Sequence, residues 1–295
     1  MSSIKLCKED GCNSPKASGR SRCFSCYGKR RRKTEIERQF PEGYKLLFVD
    51  IETRPTEAYT WSLFKANIGV NQIIRPGGMM CFAATWSGSE HPMEFYSDWK
   101  DGHEGMVIRA WELLDQADAV CHYYGSAFDV KHLNAEFLLQ GFPPPSPFKQ
   151  IDLKLAVSKQ FRFPSNKLQF VAEVLGLQGK EEHEGFNLWA KCLDETHPDH
   201  LNALARMESY NKRDVELLEE CYEILLPWLP FVPNRHLYEM GRGCPACGAN
   251  AEFVVDAGYY YTSLSKFTQF RCTVCDSYCR SSKRESGVKV QGSVL

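Results

Sequence analysis

Residues 46–55 read LLFVDIETRP. Four apolar residues run into Asp50, one more follows, and Glu52 completes a pair of acids. The apolar run reads as a buried strand, and side chains two apart on a strand leave it on the same face. Two carboxylates held together repel unless a cation lies between them. The expectation is a strand that ends in two acids at a sheet edge. Solvated acids at a strand end are the plain alternative, so the segments around the pair have to decide.

Downstream, MMCFAATW (79–86) and PMEFYS (92–97) read as two further strands joined through the turn formers Gly88 and Ser89. Residues 104–116 carry apolar side chains at helical spacing, AVCHYY (119–124) is another strand, and 126–140 another helix. GFPPPSPF (141–148) is a stiff loop, with helices expected near 152–160, 167–175 and 198–226. Strands come first and helices alternate later, which predicts an α/β domain with a mixed sheet. Asp129 opens the helix after strand 119–124 and stands three residues after Ser126, a capping-box spacing. It also lies where a strand's C-terminal edge meets a helix, the usual place for functional groups on an open α/β sheet. Tyr210 and Asp214 are four apart on the last helix and point the same way, flanking a stripe of Leu204, Met207, Asn211, Val215, Leu218, Tyr222 and Leu225. Asp152 suits a helix N-cap or a metal-positioning carboxylate. Loop residues Asn67, Gln72, Asn166 and Lys167 are candidates to touch a terminal nucleotide. His183, His197 and His200 read as exposed surface or helix-end residues.

The chain has 295 residues and a net charge of −1 that hides a partition. Residues 1–38 hold 11 Lys/Arg against 4 Asp/Glu, 236–295 hold 7 against 5, and 39–235 hold 18 against 28. That suits a middle that collects cations while the ends meet a polyanion; solvated surface charge is the plain alternative. No run reaches the roughly 18 apolar residues of a membrane helix, and no apolar signal region is seen, so a cytoplasmic, non-membrane protein is expected. Thirteen cysteines without a secretion signal point to metal rather than disulfides. Cys7, Cys12, Cys23 and Cys26 form C-x4-C-x10-C-x2-C; Cys244, Cys247, Cys272 and Cys275 form two C-x2-C pairs. Four thiolates set as two pairs close a tetrahedral shell around structural zinc. Cys81, Cys121, Cys192 and Cys221 read as small core residues, and Cys279 as a free thiol or spare ligand. The run Lys29, Arg30, Arg31, Arg32, Lys33 suits a phosphate backbone, though a solvated helix start or a nuclear-targeting run has the same composition. Between the C-terminal pairs, aromatic and β-branched residues with a polar break at Ser263–Lys266 predict a zinc-ribbon hairpin. Its aromatics stand beside Lys266, Arg271, Arg280, Lys283 and Arg284, a composition for stacking bases and pairing phosphates, or only for covering a tiny core. The layout is a zinc module (1–40), an α/β domain (41–232) and a ribbon (233–295).

In order and spacing, DIET, HYYGSAFD and Tyr-x-x-x-Asp resemble the three motifs of the DEDDy 3′–5′ exonucleases, which have the ribonuclease H-like fold and include proofreading domains of DNA polymerases. ANIGVNQI, FRFPSNKL, YNKRDVELLEE and the CPACG…FRCTVC ribbon are similar to a bacteriophage branch of that family, which would place the protein in a host cytoplasm. The resemblance implies two Mg²⁺ or Mn²⁺ ions about 3.5–4 Å apart, plus two structural Zn²⁺. Asp50 would bridge both catalytic ions, Glu52 and Asp214 hold the one that activates water, and Asp129 support the one beside the leaving oxygen. Tyr210 would align the attacking water. It implies a nucleic-acid partner, single-stranded DNA first and RNA as the alternative, and replication or repair proteins as companions. A zinc-dependent nucleic-acid-binding regulator with a silent core, or zinc modules that bind protein, are the readings from other classes. His122 stands where the family usually has Asn, with two roles open: contact with substrate, or filling space on its strand.

Overall fold

Strand β1, Leu46–Arg54, divides its side chains between two cores. Leu46 and Phe48 join one cluster; Leu47, Val49 and Ile51 join the other. That alternation is the pleat of a strand buried on both faces. The computed structural model describes residues 43–88, 92–178, 184–239 and 241–285. The N-terminal module with its four cysteines, the basic run Lys29–Lys33, Ser89 and His183 lie outside the described residues.

After β1 come β2 (Glu57–Ala58), β3 (Ile73–Arg75), β4 (Gly78–Trp86) and β5 (Glu94–Ser97), then helix α1 (Gly102–Gln116). Next are β6 (Ala119–His122), α2 (Asp129–Leu139), β7 (Lys149–Asp152), α3 (Leu153–Gln160), α4 (Leu168–Val174), α5 (Phe186–Leu193) and α6 (His200–Leu225). The central sheet runs β5-β4-β1-β6-β7, with β1 antiparallel to β4 and parallel to β6. This is the expected mixed α/β sheet flanked by helices. Helices α1 and α2 cover the face of Leu47, Val49 and Ile51, while α3, α4 and α6 cover the face of Leu46 and Phe48. Phe48 is fully buried and makes an edge contact with Tyr222 of α6, ring centroids 5.3 Å apart; burial of such a side chain contributes about 2–3 kcal/mol. The predicted stripe of α6 is buried throughout. Pro227 follows the helix, lacks an N–H and clashes with the preceding turn, so the helix stops.

Several boundaries differ from the sequence reading. β1 does not end at its acids but runs on to Arg54, because β4 pairs with it through Asp50↔Ala83 and Glu52↔Cys81 before a bulge after Glu52. Its parallel pairing with β6 stops at Phe48↔Cys121, so only that edge opens beside the acids. The helix expected from 126 starts at Asp129, and the capping box does not form: Phe128 is the N-cap, with no side-chain cap bond, and the Ser126 hydroxyl bonds Asp152 instead. β7 and the β2–β3 ribbon carry no periodicity strong enough to announce them, so pairing makes them; α5, with Leu188 and Cys192 four apart and buried, carries a helical period that the sequence reading missed. Among the described residues no helix is long and apolar enough to cross a membrane.

Beyond α6, β8 (Val254–Tyr261) and β9 (Lys266–Cys272) form the expected hairpin, and β10 (Tyr278–Arg280) adds a third strand. A Thr262–Ser265 turn closes it, with Thr262 N–H donating to Ser265 O at 2.8 Å. The ribbon packs on the sheet domain. Cys244, Ala246 and Cys272 are buried in the same cluster as Phe48 and Tyr222. Arg235 donates to Cys247 O at 3.3 Å and lies 5.2 Å from the Tyr44 ring centroid.

Candidate functional site

The parity that buries Leu46 and Phe48 carries Asp50 and Glu52 to the α6 face. There α6 brings Asp214, and Asp50, Glu52 and Asp214 each present a carboxylate oxygen, all within 4.8 Å of one another. Asp214 is buried; the other two are half-buried. The helix is pinned over the strand by Asn211, whose Nδ2 donates to Asp50 Oδ2 at 2.8 Å and to Asp50 O at 3.2 Å. One turn along, the Tyr210 hydroxyl bonds Asp214. The Tyr210 ring stands edge-on to Trp189 of α5, centroids 6.0 Å apart. Burial, then the negative charges of Asp214, Glu52 and Asp50, push the Tyr210 hydroxyl well above the ordinary phenol range. It is therefore a neutral donor facing the acids, not a base. Tyr210 and Asp214 do not merely flank the buried stripe: both are buried with it.

Asp129 joins the site from the open edge of β1. Where β6 has turned away, its carboxylate accepts the Ile51 N–H at 3.2 Å, taking the place of a strand partner between Asp50 and Glu52. Burial pushes its carboxyl up to about 6, against the lowering by the N–H groups of Ile51 and Asp129 itself. It stands outside the trio of mutually close carboxylates. Asp152 is an N-cap, accepting Leu155 N–H at 3.2 Å. It also accepts the N–H groups of Tyr124 at 3.1 Å and Ser126 at 3.3 Å, so it shapes the loop that leads to Asp129.

Of the two roles open to His122, its surroundings fit the second, filling space on its strand. His122 is fully buried; its Nε2 pairs with Gln150 Oε1 at 3.1 Å and its Nδ1 accepts the Gly125 N–H at 3.0 Å. It fills space on its strand and shapes the turn before α2. Asn67 and Lys167 are exposed, while Asn166 is half-buried with its carbonyl accepting the Tyr123 hydroxyl at 2.9 Å. His197 and His200 are half-buried at the start of α6, where His200 Nδ1 pairs with Lys191 O at 3.0 Å.

Asn211, Trp189 and the α5 helix are the parts that sequence reasoning missed. Asn211 carried a signal: an amide set in an apolar stripe between Tyr210 and Asp214. Replacing Asn211 with Ala is expected to cost about 2 kcal/mol of stability by removing a buried hydrogen bond to a carboxylate. Freed from its clamp, Asp50 should also hold a cation about 10-fold less tightly. Thermal denaturation and a Mn²⁺ titration read the two effects; unchanged Mn²⁺ affinity would mean the clamp does not orient the acid.

Both sites fit metals. Like-charged carboxylates this close repel without a cation, and an all-oxygen donor set suits Mg²⁺ or Mn²⁺ rather than softer ions. In the ribbon, Cys244 and Cys275 sulfurs are 3.6 Å apart and those of Cys247 and Cys272 3.8 Å. Zn–S bonds of about 2.3 Å in a tetrahedron put sulfurs about 3.8 Å apart, whereas a disulfide needs about 2.05 Å. Cys279 lies outside the four.

The family model RNase_H_2, of the RNase_H superfamily, matches residues 47–226, from the second residue of β1 to just past the end of α6. The chain belongs to the RNase H superfamily. The superfamily match spans every carboxylate of the site and neither cysteine set. Among solved structures, the family B DNA polymerase from the hyperthermophilic archaeon Pyrobaculum calidifontis is similar at 16% identity with a TM-score of 0.45, over 63% of this chain and 25% of that chain. The chain thus spans about a quarter of that polymerase's length. No curated protein matches it.

Proposed function

We propose that this RNase H superfamily protein is a metal-dependent 3′–5′ exonuclease acting on single-stranded DNA. The observation that carries the reading is the convergence of Asp50, Glu52 and Asp214 to within 4.8 Å, with the neutral Tyr210 hydroxyl beside them. Asp50, Glu52 and Asp214 would hold divalent cations, with Asp129 supporting from the β1 edge; such ions neutralise charge on the phosphate and make water more acidic. In the reaction, a water oxygen bonds to phosphorus as the P–O3′ bond breaks. The 3′ oxygen takes a proton, and a nucleoside 5′-monophosphate leaves. Tyr210 donates to or steers the attacking water rather than deprotonating it, because its proton stays on. Asn211 holds Asp50 in place. The ribbon's cation–aromatic pairs, Lys266 over Tyr259 at 3.4 Å and Arg280 over Phe267 at 4.0 Å, support a nucleic-acid-holding role for that module.

End-labelled strands test this. With Mg²⁺, a 3′ label should be released at once as mononucleotide while a 5′ label gives a ladder of shortening strands. Omitting divalent cation should stop both, and a parallel RNA strand should be degraded more slowly. Release of the 5′ label first, or equal turnover without divalent cation, would overturn the reading. Tyr210→Phe should lower kcat about 10- to 100-fold with little change in KM, since it removes a group used on the attacking water. A rise in KM at constant kcat would assign Tyr210 to ground-state binding instead.

A further inference from the structure

The chain between β1 and β4 does more than turn. Past the bulge after Glu52, β1 and β4 continue as a second ribbon in which β2 pairs with β3 through Glu57↔Arg75 and Ala58↔Ile73. The ribbon carries a loop, residues 59–72, away from the sheet. It is an ordered arm. Gln72 staples it, its Oε1 accepting Gly69 N–H at 2.8 Å and its Nε2 donating to Tyr59 O at 3.0 Å. Tyr59 N–H donates to Gln72 O at 3.0 Å. The root is held as firmly. Arg54 pairs with Asp98 at 3.2 Å, and Glu136 of α2 accepts Met79 N–H at 3.1 Å and pairs with His103 at 2.9 Å. Gly78 leaves room there for the carboxylate: a Cβ would stand 3.1 Å from Glu136 Oε1, which would have to give by a few tenths of an ångström.

What the arm displays is unusual for a surface. Trp61 is 99% exposed, Leu63 89%, Phe64 84%, Val70 86% and Tyr59 74%. Isolated apolar residues on a surface need no explanation, but five large ones within twelve residues of one loop mark an interaction site. Three of the five are aromatic, the side chains on which unpaired bases stack. The arm's charge has the same sense. Lys65 is the one charge within 59–72, while at the root Arg75 pairs with Glu57 at 3.8 Å and Arg54 with Asp98, so the arm is weakly positive in a domain where 18 Lys/Arg face 28 Asp/Glu. An aromatic arm whose one charge is positive, on an acidic domain, complements a strand of phosphates and bases; an acidic protein surface would satisfy Lys65 but not use the rings. The arm also continues the strand that bears Asp50 and Glu52. Trp61 stands nine positions after Glu52, a reach of at most about 30 Å, within the span of a strand of some 4–16 nucleotides.

We infer that the 59–72 arm is a stacking platform for unpaired bases upstream of the scissile end, with Trp61 and Phe64 as its principal rings. The inference rests on the proposed nuclease reading and deepens it: the arm would make the enzyme prefer a longer single strand to a very short one. Gln72, placed by sequence among possible nucleotide contacts, serves instead to keep the arm in shape.

The test uses the full chain and two single strands, of about 12 and about two nucleotides. In the wild type, kcat/KM should favour the longer strand. Trp61→Ala and Phe64→Ala should each reduce the 12-to-2 ratio about 10-fold, and Trp61→Phe should restore most of it. Since Trp61 touches almost nothing in the protein, the variants should fold, which the melting temperature checks. An unchanged ratio, or an equal fall on both lengths, overturns the inference. If the wild type cleaves neither strand, the nuclease reading fails on its own, and anisotropy of a labelled 12-nucleotide strand in Ca²⁺ still decides the arm: binding unweakened in Trp61→Ala overturns it. Sedimentation supplies the last outcome. A concentration-dependent mass lost in Trp61→Ala, with strand binding intact, would make the arm a protein interface and overturn the inference.

Discussion

Asp214→Asn is expected to lower kcat for strand degradation at least about 1,000-fold, a loss of about 4 kcal/mol of transition-state stabilisation. The substitution keeps the shape of the side chain and removes its charge. Asp214 sits within 4.8 Å of Asp50 and Glu52, so one fewer negative charge also relieves repulsion among the three. Without divalent cation, the variant should therefore melt at the wild-type temperature or above it. Adding Mg²⁺ separates the two proteins. A ligand bound only by the folded state adds about 2.7 kcal/mol at 100 times its dissociation constant, so Mg²⁺ should raise the wild-type melting temperature and leave Asp214→Asn nearly unmoved. Activity within 10-fold of wild type would remove Asp214 from the chemistry. A variant that melts well below wild type without Mg²⁺ would assign Asp214 to the core instead.

Loss of the ribbon's metal should have the second large effect, on stability. Cys244 and Cys272 are buried in the cluster that also holds Phe48 and Tyr222. Structural zinc at four thiolates contributes on the order of 10 kcal/mol to the fold it closes. Cys272→Ser should release one equivalent of zinc per chain. It should also lower the melting temperature of the whole protein by roughly 10 °C, as a loss of several kcal/mol does in a domain of this size. Elemental analysis and calorimetry measure the two together. Loss of zinc with an unmoved main transition would show that the ribbon folds apart from the sheet, contrary to the packing of its cysteines. Binding of about 12 nucleotides of single strand should weaken in the same variant if the ribbon holds nucleic acid.

Much of the site was legible because its signals are local. Asp50 and Glu52 share a face by the period of a strand, and Tyr210 and Asp214 by the period of a helix; neither needs the rest of the chain. Each C-x2-C pair is local too, and the fold brings the two pairs together with sulfurs at zinc spacing. The zinc module at 1–40 and its basic run remain expectations of the sequence, outside the described residues. Asp129 was found by its position at a strand–helix junction, but the capping box read there gave way because Asp152 takes Ser126 and leaves Asp129 to Ile51. His122 stayed open in the sequence for a related reason. A histidine next to a motif is ambiguous in sequence, and only the Gln150 and Gly125 partners, brought by β7 and the following turn, show that it is buried.

The amino-acid order alone settled which residues pair up within one element, because periodicity and spacing act over a few residues. It settled the α/β class, the mixed sheet and the ribbon hairpin on the same grounds. Contacts between elements were decided elsewhere. That α6 lies over β1 with Asn211 gripping Asp50, that β4 carries β1 past its acids, and that the 59–72 arm stands out with its rings exposed all depend on pairings across tens of residues or more. Such pairings arise from burial, which is non-directional, and no short stretch of sequence says which distant apolar face will cover it.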